Sequence, residues 1–245
     1  MAKFHAKKRE LERLLLPPVW PEDADAIPED ACGVSGLEAV SPLIALLPRG
    51  GLLMWRAAII TGRVLARLAQ ENQEGARIVI RRLIWHLNED SGNIGWGVPQ
   101  ALGEILAQSP ELAAEYGKIA LSYVRDTGFA DNFIEHAPLR RGAYWAIGRF
   151  APLYPQYRTE GKELLVTGLH DEDAPCRGIA AWGMGNFAAH GLLDEKEKAL
   201  LAPLLEKETA NLEECEILEG LRLYSEPACA LALRTRKLLA VASPS

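Results

Sequence analysis

Residues 85–107, WHLNEDSGNIGWGVPQALGEILA, bring a histidine, an asparagine and two carboxylates together ahead of a Gly-Trp-Gly. His86, Glu89 and Asp90 are metal-ligand types. A catalytic metal, however, needs three protein ligands at short, defined distances and a second layer of groups that orients them. Neighbouring residues in one turn rarely converge in that way. The same composition suits a corner between two helices, because Asn, Asp, Ser and Gly cap exposed backbone N–H groups or accept left-handed dihedrals. His86 then falls in the last turn of the preceding helix, where partial positive charge complements the dipole. GNIGWG is no phosphate loop, since no strand precedes it.

Three other groups of residues invite chemistry. Asp131, Glu135, Arg140 and Arg141 place acids and guanidinium groups close to Trp145. Cys176 falls at a core position and reads as an inert thiol. Lys3, Lys7, Lys8, Arg9 and Arg13 could meet nucleic acid or acidic lipid. Glu10 and Glu12 dilute that charge, and Leu11, Leu14 and Leu15 fit a cap on a helical stack better.

The elements that must position these residues are helices. Apolar residues recur at three- and four-residue spacing in RVLARLAQ, ARIVIRRLIWHL and EKALLAPLLEKE, whereas alternating β-branched runs and Asn-Gly turns are missing. The spacing predicts an all-α chain that begins with a short basic helix over 3–16. Residues 17–30 hold four prolines and five acids, so they read as a linker. The chain is 245 residues long and 49% hydrophobic, enough for a sizeable core. Its net charge of −6 gives no footprint for general nucleic-acid binding. Cys32, Cys176, Cys215 and Cys229 are scattered, with no CxxC pair, as in reduced cytosolic proteins. The N-terminus lacks the apolar run of a signal peptide, and no stretch approaches the roughly 20 apolar residues of a spanning helix. The expected setting is the cytoplasm, off the membrane.

The chain also repeats. WAIGRFA at 145–151 aligns without gaps to WGMGNFA at 182–188, and ALGEILA and IITGRVLA fit the same frame. The anchor glycines Gly62, Gly103, Gly148 and Gly185 are then 41, 45 and 37 residues apart. A period near 40 with two helices per unit marks an α-solenoid.

LHDEDAPCRGIAAWGMGNFA resembles a HEAT repeat, specifically the short PBS-lyase HEAT-like variety. Leu169, Asp171, Asp173 and Arg177 match that pattern, and Pro175 and Cys176 depart from it. Arg140 fills the same arginine position in LRRGAYWAIGRFA, whose preceding turn, 126–137, is longer than the family's. Gly95 replaces the arginine one repeat earlier. The resemblance implies a right-handed α-α superhelix of about five helix pairs over 41–245. Residues 1–40 would supply a capping helix and linker. HEAT-fold deoxyhypusine hydroxylase carries repeated His-Glu pairs. This chain has none, and Glu135-His136 runs in the reverse order.

At 100° per residue, one face of each second helix is small and apolar: Val98, Ala101 and Ile105; Ala143, Ala146 and Phe150; Ile179, Ala180 and Phe187. On the opposite face, Trp55, Trp96 and Arg141 stand seven residues before the anchor glycine. Gln100, Trp145 and Trp182 stand three before it, and Arg63, Glu104, Arg149 and Asn186 directly after it. In HEAT proteins, as the resemblance implies, second helices line the concave surface. Aromatic and arginine side chains there would attract a partner. The sites expected for contact are therefore Trp55, Trp96, Gln100, Arg141, Trp145, Arg149, Trp182 and Asn186. Three arrangements remain open: a groove free for a partner, one that the chain fills itself through Val19 and Trp20 of the 17–30 segment or through tight superhelical curvature, or a frame that misplaces the stripe. Pro99, near the start of its helix, either kinks or delays it.

The reading favoured by the residues is a non-enzymatic scaffold for a protein or peptide partner, with no cofactor or metal. The alternative is a HEAT-fold enzyme or cofactor handler. It would be either bilin lyase-like, or alkylpurine DNA glycosylase-like with a Trp-lined groove, an acid and arginines.

Overall fold

A computed structural model describes residues 2–28, 33–34, 36–88, 95–129 and 132–240. The expected turn residues Glu89 and Asp90, together with Ile94, Cys32 and Asp131, lie outside them. The chain forms two compact units, residues 1–117 with 218–224, and residues 118–217 with 225–245.

In the first unit, α1 (Ala2–Leu15) and α2 (Leu37–Ile44) precede the long α3 (Gly51–Glu71), followed by α4 (Gln73–Asn88) and α5 (Val98–Gln108). The next helix, α6 (Pro110–Ser122), begins here. The helices α3 and α5, which carry Gly62 and Gly103, pack along each other, and α4 lies against both. Leu11, Leu14 and Leu15 of α1 are buried on this stack, as a capping helix requires. The helix α5 starts at Val98, because Gly97 turns left-handed (φ 72°) ahead of it and Pro99 occupies its first turn, so the proline delays the helix.

In the second unit, α7 (Ala137–Phe150), α9 (Ala174–Ala189) and α11 (Ala228–Ala240) stack side by side. Helices α8 (Pro155–Gly168) and α10 (Glu195–Lys207) back that row. Asp173 caps α9 by accepting the Cys176 N–H at 2.9 Å. A capping box between Asp194 and Glu197 starts α10. First and second helices thus alternate, and within each unit the second helices form a continuous row. The chain is an all-α, solenoid-type helical stack.

One element departs from the helical pattern. A hairpin, β1 (Glu214–Glu219) and β2 (Arg222–Pro227), turns through Gly220 at φ 60°. Its signal is short: Cys215 and Ile217 are buried between the exposed Glu214 and Glu216, a two-residue alternation that helical periodicity masks.

Candidate functional site

The predicted apolar faces are buried throughout the described residues: Val98, Ala101, Ile105, Ala143, Ala146, Phe150, Ile179, Ala180 and Phe187. The opposite stripe is where expectation and structure part. Trp55, Trp145 and Trp182 are 2%, 1% and 6% exposed, so they do not line an open groove. Gln100 and Glu104 are buried as well.

The anchor glycines supply the reason. Gly148 touches the neighbouring α9 so closely that an added Cβ would sit 2.7 Å from the Gly183 Cα and 2.9 Å from the Trp182 ring. Trp182 covers Gly148 and stacks on Trp145 at 6.0 Å, the planes 5° apart. The stripe that holds the tryptophans therefore also holds the close helix–helix approach. It is a packing flank, with the neighbouring second helix in the place where solvent was expected.

A polar side chain from the neighbouring second helix completes the contact at three of the anchor glycines. Asn186 donates its Nδ2–H to the Gly148 carbonyl at 3.1 Å. Glu104 fills the space over Gly62. Thr235 of α11 sits over Gly185 and donates to the Ala181 carbonyl at 2.8 Å.

Arg140 and Arg141 are likewise committed. Arg140 forms two hydrogen bonds to Asp171, at 2.7 and 2.8 Å, and donates to the Ile134 and Glu135 carbonyls, each at 2.8 Å. The Asp171 hydrogen bonds raise its pKa further, against the effect of burial. Arg177 repeats the pattern, donating to the Asp171 and Glu172 carbonyls and to Glu208. Arg141 grips Asp173 with two hydrogen bonds, at 2.9 and 2.7 Å. The two arginines of the set expected near Trp145 thus tie turns together, and Trp145 itself is buried. Cys176 and Cys215 are buried free thiols whose pKa values burial raises, Cys215 to about 12. Among the described residues, no group of three or more His, Cys, Asp or Glu side chains is placed to hold a metal ion. No helix of the described residues is long and apolar enough to cross a membrane.

The linker question has a partial answer in the first unit. Trp20 is fully buried, with the Arg56 guanidinium 4.5 Å from its ring centroid. Arg56, next to Trp55 on α3, donates to the carbonyls of Leu15, Trp20 and Pro21. Burial lowers its pKa to about 10, which leaves it charged at neutral pH.

Of the expected contact residues, Trp96 keeps the most open surface, at 36% exposure, and Arg149 is half-buried at the end of α7. Trp96 borders a cavity of about 210 Å³ whose other walls include Phe4, Ile44, Arg82, His86 and Val98. Arg82 donates to the Ser41 hydroxyl at 3.1 Å. His86, expected as turn chemistry, makes an edge-to-face contact with Trp85 at 5.3 Å, and Trp85 is 56% exposed. The repeat frame overlooked Trp85 because it weighed only second helices. Its exposed position in ARIVIRRLIWHL, one residue before a helix-ending histidine, was the available sign.

A larger cavity, of about 490 Å³, lies within the second unit. The long 122–135 connection builds one wall with Arg125, Asp126, Phe133 and Glu135. Arg140 and Tyr144 of α7, and His170 with Glu172 of the turn before α9, supply the others.

No protein-family model matches the chain, and no curated protein matches it. Among solved structures, the chain is similar to a computationally designed armadillo repeat protein for modular peptide recognition. The TM-score is 0.46 and the identity 17%, over 97% of each chain.

Proposed function

We propose that this chain is a non-enzymatic helical-repeat scaffold of the HEAT type, with a protein or peptide segment as its ligand. The Trp96 surface is the contact site. The observation that carries the reading is the exposure of Trp96 and Trp85 around His86, beside a cavity that accepts a single large side chain. Tryptophan and arginine are enriched in binding hot spots, tryptophan because it buries much area at low entropic cost, and Arg82 supplies the guanidinium. Of the expected Trp/Arg surface this reading keeps Trp96 and adds Trp85 and Arg82. The HEAT assignment draws support from the matching roles of Arg140 and Arg177. Each reaches back to its own turn and forward to an acid thirty-one residues on. The lack of enzymatic activity is supported by the packing duties of Arg140, Arg141 and Trp145. Free thiols at Cys176, Cys215 and Cys229 support a reducing, cytoplasmic setting.

The test is selection of a phage-displayed peptide library on the full chain, followed by fluorescence anisotropy with the enriched peptides. Trp96→Ala and Trp85→Ala should each weaken binding by about tenfold or more, with the melting temperature unchanged. Equal binding by wild type and both variants, or no enriched peptide, rejects this surface.

A further inference from the structure

The 490 Å³ cavity of the second unit has a sharper chemical character than the Trp96 surface. Both of its arginines are occupied. Arg140 is spent on Asp171 and two backbone carbonyls, and Arg125 pairs with Glu160. Asp171 is thereby neutralised. Three further carboxylates line the space, Asp126, Glu135 and Glu172, and all three side chains are solvent-exposed. None of them forms an ion pair among the described residues; the Asp126 carboxylate accepts the Gly128 N–H at 2.8 Å. Beside them stands the Phe133 ring, which already has the Arg140 guanidinium 5.1 Å from its centroid. Carboxylates around an aromatic ring hold a cationic side chain well, because the ring face is itself electronegative.

The cavity also has a dedicated architecture. Ile134 N–H donates to the Tyr123 carbonyl at 3.0 Å and closes the connection at its base, and Asn132 adds a bond to the Ser122 hydroxyl. The described residues of this connection thus supply one wall of the cavity, and Phe129 on the same connection is 85% exposed. The volume falls within the range of ligand sites.

We infer that this cavity binds an arginine or lysine side chain presented by a basic segment of a partner protein, with Glu135, Glu172 and Asp126 neutralising it. The exposed Phe129 favours a peptide over a free small cation, since it offers apolar contact to residues flanking the basic one. This site is independent of the Trp96 surface.

Fluorescence anisotropy with a fluorescein-labelled arginine-rich peptide tests it, alongside an acidic peptide and spermine as competitor. The full chain should bind the basic peptide and not the acidic one. Glu135→Gln/Glu172→Gln should weaken binding by about tenfold or more. The control Glu71→Gln/Glu216→Gln, which removes the same charge elsewhere, should change it by no more than about twofold. Trp96→Ala should leave it unchanged, which separates this site from the proposed function. Melting temperatures should match wild type, since neither glutamate side chain is bonded. Equal loss in both double variants would reduce the effect to overall acidity and overturn the site. Absence of binding, or displacement by spermine as strong as by unlabelled peptide, would overturn the assignment to a basic segment.

Discussion

Gly148 illustrates how much one missing side chain organises. In the middle of a helix, glycine costs about 1 kcal/mol relative to alanine, so its presence implies a return. The return is contact: the α9 backbone at Gly183 and the Trp182 ring occupy the space a methyl group would take. Gly148→Ala should therefore destabilise the chain by about 1–3 kcal/mol despite improving helix propensity. Urea denaturation measures this, and a stabilised variant would show that the approach is not tight. The sequence carried this information. Glycine anchors lie in the same angular stripe as the tryptophans, and a glycine conserved in a stripe's geometry marks backbone approach rather than solvent. Weighing only the aromatic residues made the stripe read as a groove.

At the scale of elements, the turns before α7 and α9 are held by an arginine and an acid from consecutive repeats. The helices and the turn residues between them were legible, because capping and helical periodicity are local. The commitment of Arg140 and Arg141 was not, because their partners lie about thirty residues away and only the fold brings them together. The hairpin at 214–227 was equally hidden. Its alternation spans too few residues to compete with a three-to-four periodicity.

Asp173 makes this scale measurable. Burial opposes its ionisation, but the Arg141 hydrogen bonds and the Cys176 N–H outweigh it and bring the pKa from 3.8 down to about 2. A depressed carboxylate stabilises the fold above its unfolded pKa and loses that contribution as pH falls through the folded value. Stability should thus drop between about pH 4 and pH 2. Asp173→Asn should flatten that part of the profile, as followed by circular dichroism during acid titration. An unchanged slope would assign acid sensitivity to other carboxylates.

At the scale of the whole chain, the N-terminal segment is part of the first unit's core. Arg56→Ala would take the guanidinium donor from the buried carbonyls of Leu15 and Trp20. The expected cost is about 3 kcal/mol or more. Hydrogen exchange should show α1 and α3 losing protection together. If α1 frays while α3 holds, the segment is an appendage and not a structural member.

The contacts over the anchor glycines have one more consequence. Gly62 receives a carboxylate side chain, Gly148 an amide and Gly185 a hydroxyl, each supplied by a neighbouring second helix. These three junctions therefore each have their own polar signature, and the repeats that meet there are not interchangeable parts. Copying one of these repeats into another's slot would pair the wrong group with the wrong backbone site, so duplication alone would not reproduce the contact.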